Sequence, residues 1–503
     1  MQKTALSATR RLDYGQWYQD VISAAELAEH SMTRGCMILK PWGYALWERC
    51  QKVLDQKLKD TGHQNVYFPL LIPLSCFQKE ADHIAGFAKE CAVVTHHRLK
   101  SNELGQLVPD GLLEEPYIIR PTSEMIIGDA FSRWVESYRD LPVLINQWAN
   151  VMRWEMRTRL FIRTTEILWQ EGHTAHATAA EAVDETLKIL YLYQDFLKDT
   201  LAIPVITGSK PTVERFPGAV DTYTIEAMTQ NGKALQAGTS HFMGQNFAHA
   251  CNITFLNKVG TQEHAWTTSW GVTTRLIGAL IMAHADDNGL VVPANLAPYH
   301  IVILPMIKGQ DSDQPILDFC EKLKTQLQAT QYAGEPIRVY VDLRDKRGGD
   351  KNWSWIKKGV PIRLEIGARE VQNDQVCTSI RQKDRAPGEK TTIMRAELLN
   401  SISNLLITQQ KTLWDLAIAE RTQQTRFIDS AAMLEKVCRE FKEEEEKSPG
   451  FLECYLADCA EIGDLLKTYG LTPRCIPLGR NEKGTCILTG QEHSPLMIVA
   501  KAY

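Results

Sequence analysis

Apolar positions recur in two distinct periods along the first 285 residues. In "LKPWGYALWERCQKVLDQKLKDTG", 39–62, Ala45, Leu46, Cys50, Val53, Leu54 and Leu58 follow helical spacing. The repeat stops at Gly62, and "NVYFPLLIPL" follows with strand character and two prolines. Farther on, the pattern predicts a strand over 117–120, a turn at Pro121 and a helix over 123–138 capped near Thr122 or Ser123. A strand over 143–153 comes next. A strongly periodic helix begins after His176. Residues 203–270 are strand-like with Gly-rich turns, and "TRLIGALIMAH" from 274 reads as an apolar helix. Strands with helices segregated around them predict an antiparallel α+β domain over 1–285.

Turn residues cluster in "ADDNGLVVPANLAPYH", which sets a linker at 286–297. The strand "HIVILPM", a helix, the strand "IRVYVDL", the helix "KNWSWIKKG" and the strand "PIRLEIG" then alternate. That order predicts a compact α/β domain over 298–402. Residues 403–503 read as a small third α+β unit, opened by a helix that ends in "EKVCREFKEEEEK". Its acidic run reads as a solvated helix face.

Composition narrows the class of protein. In 503 residues, 44% are hydrophobic and 23% charged, which permits large cores in a soluble chain. The net charge of −5 gives no overall basic signature, so a nucleic-acid partner would have to be met by a local patch. There is no apolar run long enough for a membrane span, and the first 30 residues lack the apolar core of a signal peptide. The 12 cysteines are scattered, as expected of reduced thiols in a cytoplasm.

The chemistry concentrates in "NVMRWEMRTRLFIRTTEILWQEGHTAH", 150–176. Arg153, Arg157, Arg159 and Arg163 are threaded among aromatic and aliphatic residues. Buried charge without partners costs several kcal/mol per ion, so the pattern calls for a bound anion. Two further stretches are suited to phosphate and carboxylate. "ALQAGTSHFMGQN" carries Gln236, Thr239 and His241 between Gly238 and Gly244. "TTSWGVTTRLIGALI" places Arg275 at the start of an apolar helix.

These residues carry a family resemblance. "RWE" at 153–155 and "RTTEILWQEGH" at 163–173 resemble the second signature of class II aminoacyl-tRNA synthetases. "WGVTTRLIGAL" at 270–280 resembles the third, and the 39–73 helix and Pro strand resemble the first, which builds a dimer interface. "RPTSE" at 120–124, "ILWQEGHTAHAT" at 167–178 and "GTSHFMGQNFA" at 238–248 narrow the resemblance to prolyl-tRNA synthetases. "DLRDKRGGDKNWSWIKKGVPIRLEIGARE" at 342–370 and the terminal "AKAY" resemble the archaeal/eukaryotic type. The resemblance spans nearly the whole chain. It implies a class II catalytic domain with an antiparallel sheet, an α/β anticodon-binding domain and a C-terminal domain of degenerate zinc-binding type.

The same resemblance implies ATP with Mg²⁺, L-proline and tRNA(Pro) as ligands, and a cytoplasmic homodimer. Arg153, Glu155 and Arg275 would be catalytic. Arg163, Gln236, Thr239 and Thr273 would complete the ATP site. Thr122 and Glu124 would take the proline imino group, and Phe87, Trp169, His173, Phe216 and His241 would wall the proline pocket. One departure is Ile167, which stands where the class signature places Phe. Two other readings remain open: a class II synthetase for threonine, serine or glycine, and a catalytically inactive paralogue that binds tRNA or regulates.

Between Leu343 and Arg363, seven basic residues face two aspartates, with Trp353 and Trp355 interleaved. A solvated face is the plain reading; the resemblance implies anticodon contacts by Arg344, Arg347, Lys357 and Glu365. Cys454, Cys459 and Cys486 match three ligands of a four-Cys zinc site, but Thr489 stands in the fourth place, which argues against bound zinc. Only 94 residues separate Glu171 from Trp266, too few for the editing domain of bacterial-type relatives. Alanine misactivation without clearance is therefore expected.

Overall fold

The structure is a computed structural model, and it describes residues 5–78, 90–307, 313–386, 388–441 and 448–503. Its centre is an antiparallel sheet whose strands run, side by side, Val205–Ser209, Asp221–Met228, Ala234–Gly244, Trp266–Thr273, Glu166–His176 and Val143–Met152. The short strand Gln64–Asn65 adds to the edge in parallel. Two helices cover one face. Ala179–Phe196 starts on a Thr178/Glu181 capping box, and Arg275–His284 is almost wholly buried. Gly172 pairs with Trp270 across the ladder. A Cβ on it would lie 1.9 Å from the indole, so only glycine lets that ring pass.

The expected helix over 123–138 is shorter, Glu124–Trp134. Val135 turns extended, and Ser137 caps a separate 3-10 turn, Tyr138–Asp140, whose Asp140 bonds back to the Ser137 amide. The expected helix over 39–62 is Pro41–Asp60, with proline in its first turn.

Residues 286–297 do not behave as a loose linker. Leu290, Val291, Val292, Ala294, Leu296 and Ala297 are all fully buried. Asp286 grips the buried Arg381 through both carboxylate oxygens, at 2.5 and 2.8 Å. The next domain has the expected alternation. Strands Val339–Val341, Ile301–Pro305 and Ile362–Ile366 are parallel, and Gln375–Ile380 and Thr391–Met394 extend the sheet antiparallel.

The C-terminal unit departs from expectation in two ways. Its opening helix, Arg395–Gln423, begins inside the preceding domain, where Leu398, Ile402 and Leu406 join that core. It does not run on to "EKVCREFKEEEEK". A strand, Thr425–Phe427, intervenes, and Ser430 caps a second helix, Ala431–Glu440. Most of the acidic run, 442–447, lies outside the described residues. The last strands also join the catalytic sheet: Ile476 and Pro477 pair with Ser209 and Gly208, making one continuous twelve-stranded sheet.

Candidate active site

Register aligns the candidate residues in cross-strand rows. His173 pairs with Ser269, Ser269 with His241, and His241 with Thr222. One step along, Glu171 pairs with Gly271 and Gly271 with Thr239. Next to it, Trp169 pairs with Thr273. Because side chains alternate along a strand, Trp169, Glu171 and His173 point to one face. All these residues line a cavity of about 340 Å³, along with Thr122, Glu124, Arg153, Phe216, Gln236 and Arg275.

One end of the cavity is acidic and aromatic. Glu124 opens its helix, accepts from the Thr122 hydroxyl, and accepts from Ser269 Oγ at 3.1 Å. Glu171 accepts from Ser123 Oγ at 2.5 Å and Gln147 Nε2 at 2.7 Å, and lies 3.4 Å from His173 Nε2. Burial would lower the His173 pKa, but Glu171 and Glu124 outweigh it and raise it. Burial dominates at His241 and brings it down to about 4, against the pull of Glu124. Its ring centroid lies 4.6 Å from that of Phe216, and its Nδ1 is 3.0 Å from Thr222 Oγ1. Burial thus favours the neutral form of His241, whereas the two carboxylates shift His173 in the opposite direction.

The other end is cationic. Arg153 donates from Nε to Pro121 O at 3.0 Å and lies 5.6 Å from the Trp169 ring. Its pKa is lowered by burial, with Glu124 and Glu171 opposing. Arg275 rests on backbone carbonyls, Ile162 O at 3.3 Å and Gln236 O at 3.4 Å. Burial first, then repulsion from Arg153 and Arg163, brings its pKa down to about 10. Guanidiniums that repel one another inside a cavity are stabilised by an anion placed between them. Phe161 closes this end with φ of 64°, a left-handed conformation costly for an aromatic residue; the buried Leu160 and Ile162 on either side hold it.

The family model of the class II tRNA synthetase core domain (G, H, P, S and T) matches residues 109–284, and that of an anticodon binding domain matches 300–405. A proline–tRNA ligase of Bdellovibrio bacteriovorus is 53% identical, with 100% of both chains covered. The chain belongs to the prolyl-tRNA synthetase family. A proline–tRNA ligase of Rhodopirellula baltica is also 53% identical, over 100% of this chain and 98% of its own. The crystal structure of a Cryptosporidium parvum prolyl-tRNA synthetase complexed with L-proline and AMP superposes with a TM-score of 0.87. It is 33% identical and covers 99% of this chain and 97% of that one. A second structure from that organism, complexed with halofuginone and AMPPNP, gives 0.88 at 34% identity.

Within this synthetase family framework, not every candidate reaches the cavity wall. Glu155 accepts from the Arg157 amide at 2.8 Å, and Arg163 is exposed; both sit outside the lining. The hairpin between them folds back on itself through paired backbone bonds of Arg159 and Arg163. Arg159 is held over the Tyr18 and Tyr503 rings, at 4.7 and 5.3 Å. Phe87 lies outside the described residues. Ile167 lines the cavity where the class signature has Phe. Glu171, Ser269 and Phe161 were not among the expected site residues. Glu171 was available from the two-residue period it shares with Trp169 and His173; Ser269 needed the register.

The basic stretch of the anticodon-binding domain is partly internal. Lys351 and Lys358 are buried, donating to Asp342 O at 3.1 Å and pairing with Glu26 at 2.6 Å. Arg344 is ion-paired with Asp342 at 2.7 Å, and the buried Arg363 donates to Asn352 at 2.8 Å. Lys346 and Arg347 are exposed, Lys357 is half-buried, and Glu365 pairs with Lys390 at 2.6 Å. In the C-terminal domain, Cys454 and Cys486 are buried. Burial pushes the Cys486 thiol up, but the Thr489 hydroxyl and nearby backbone amides outweigh it and lower its pKa. Thr489 thus serves the sulfur rather than a metal. Among the described residues no group of three or more His, Cys, Asp or Glu could hold an ion. These residues do not fit a structural zinc.

Proposed function

We propose that this chain activates L-proline with ATP and transfers the prolyl group to the 3′ end of tRNA(Pro). The observation that carries the reading is the polarity of this cavity: Glu124 and Glu171 at one end, Arg153 and Arg275 at the other. A zwitterionic amino acid and a phosphate fit that order. Glu124 and Thr122 take the secondary ammonium of proline, and Trp169, Phe216 and His241 wall its ring. Arg153 lies between the amino-acid carboxylate and the α-phosphate. Arg275, Gln236, Thr239 and Thr273 hold the nucleotide, taken as its Mg²⁺ complex, with Glu155 and Arg163 at the rim.

The carboxylate oxygen attacks the α-phosphorus, and the bond to the bridging oxygen breaks with loss of pyrophosphate. The tRNA hydroxyl then attacks the carbonyl carbon and AMP leaves. No covalent enzyme intermediate is needed. The protein contributes orientation and charge stabilisation at the reacting phosphorus. An inactive paralogue is not favoured, because relatives sharing 53% of residues end to end are named as ligases. The cytoplasm is the proposed compartment; no helix among the described residues is long and apolar enough to cross a membrane. A homodimer through Pro41–Asp60 is proposed from its likeness to the first class signature, and light scattering should give two chains per particle.

Exchange of pyrophosphate into ATP, measured with each of the twenty amino acids, tests the reading. Proline should dominate, with alanine a weak second. Residues 172–265 hold strands of the central sheet, the helices Ala179–Phe196 and Asn246–Cys251, and a small two-stranded sheet, Thr254–Leu256 with Gln262–His264, which supports the reading that this chain has no editing module. Added enzyme should therefore leave alanyl-tRNA(Pro) intact. Exchange that is independent of proline would sink the assignment.

A further inference from the structure

The continuity between the C-terminal strands and the catalytic sheet brings a charged group under the nucleotide end of the cavity. Arg474, on Thr472–Pro477, donates to Glu226 Oε2 from Nε at 3.0 Å and from a terminal nitrogen at 2.9 Å. Lys210 Nζ and Thr224 Oγ1 donate to the other oxygen, at 2.8 and 2.9 Å. Glu226 has no exposed surface, and Lys210 and Arg474 are 3% and 7% exposed. Thr222, Thr224 and Glu226 alternate onto one face of their strand, and Thr222 lines the cavity. Glu226 thus faces the same side, just beyond the nucleotide end.

The strand pairing is irregular at this point. Ile225 pairs with Gly238 and Glu226 with Gln236, so Ala237 is an extra residue bulged out of the ladder. A bulge bends its strand and re-aims the neighbouring side chains. Here those neighbours are Gln236, whose carbonyl accepts from Arg275, and Thr239. Glu226 and Arg474 are also among the charges that Arg275 feels, with opposite signs.

We propose that Arg474 of the C-terminal domain is a positioning residue for the reaction. By clamping Glu226 it holds the bulge at Ala237, and with it the aim of Gln236 and the seat of Arg275. The inference rests on the proposed proline activation and adds a role for the C-terminal domain in nucleotide binding. Loss of the clamp leaves Glu226 a buried carboxylate short of a partner, facing Arg275 with uncompensated charge.

Proline-dependent pyrophosphate exchange, with ATP and proline titrated separately, tests it. Arg474→Gln should raise KM for ATP about tenfold and leave KM for proline within about twofold. Arg474→Lys should recover most of the loss, since an ammonium still reaches the carboxylate. If Arg474→Gln fails to fold, the double change Glu226→Gln with Arg474→Gln removes the orphaned charge. It should then fold with a raised KM for ATP alone. Unchanged kinetics in Arg474→Gln or in the double variant, or equal rises in both KM values, would overturn the proposal while wild-type exchange still stood. Absence of wild-type exchange would overturn the underlying reading as well.

Discussion

Arg381 and Arg275 are both drawn out of solvent, and their surroundings are opposite. Arg381, at the seam between the first two domains, meets Asp286 through two short bonds and caps Gly289 O at 3.2 Å. Burial alone would raise the Asp286 carboxyl, but Arg381 outweighs it and lowers its pKa. Arg275 rests on carbonyl dipoles with Arg153 and Arg163 as repelling neighbours, and its pKa falls to about 10. In the first arrangement the guanidinium charge is already matched by a carboxylate within the folded chain, and the pair serves packing. The second becomes favourable when an anion arrives. The nearest charge separates the two: a carboxylate gripped through both oxygens at Arg381, other guanidiniums at Arg275.

If the distinction is right, removing a cavity arginine should harm chemistry and spare the fold. Arg153→Ala is expected to lower proline activation by about 10²–10³-fold or more, with the thermal midpoint nearly unchanged. Arg153→Lys should also be poor, because one ammonium cannot face a carboxylate and a phosphate together. Adenylate formation within about tenfold of wild type would remove Arg153 from the proposed mechanism.

The seam should behave in the opposite way. Arg381→Ala strands Asp286 in the interior, and breaking a buried pair on one side costs about 3–5 kcal/mol. A clear drop in denaturation midpoint is expected, while KM for proline in the surviving folded fraction stays near wild type. Loss of activity without loss of stability would mean that the seam also feeds the site.

Glu226 sharpens the comparison by pH. Burial alone would push its carboxyl up, but Lys210 and Arg474 outweigh it and hold it at about 2. A depressed carboxyl pKa contributes stability that is fully present above the ordinary value near 4.5. It is lost as pH falls from there through about 2. The contribution is roughly 3 kcal/mol at neutral pH, so acid unfolding should weaken in its pH dependence over that window in Glu226→Gln. An identical acid profile in the variant would show that the triad is not what fails in acid.

The sheet strands and the three signature stretches were legible in the sequence because local period and turn chemistry encode them. Trp169 and His173 sit four apart, an even spacing that puts them on one strand face, and "TRLIGALIMAH" is apolar on nearly every side. What was not legible depends on pairings between distant residues. Ser269 joins the site through its register with His173 and His241. The pairing of Ile476 with Ser209 merges two regions 267 positions apart, and no local pattern signals it. Phe161 needed backbone geometry, and Glu155 and Arg163 carry the family pattern without reaching the cavity wall.

The basic stretch of the anticodon-binding domain shows the same division on a smaller scale. By composition its seven cations look equivalent, yet Lys351, Lys358 and Arg363 are buried. Lys358 ties the domain to Glu26 of the catalytic unit, and Trp42 donates to the Lys358 carbonyl at 3.0 Å. Those residues should report stability when changed, and say little about RNA. Lys346 and Arg347 are exposed at the start of the helix Gly348–Lys358 and are the cations able to meet a phosphate. Changing both to alanine is expected to raise KM for tRNA by roughly three- to tenfold, more at low salt than at high, since each released contact frees a counterion. Pyrophosphate exchange, which needs no tRNA, should be unaffected. Equal losses in exchange and in charging would show that these two side chains act through the catalytic domain and are not tRNA contacts.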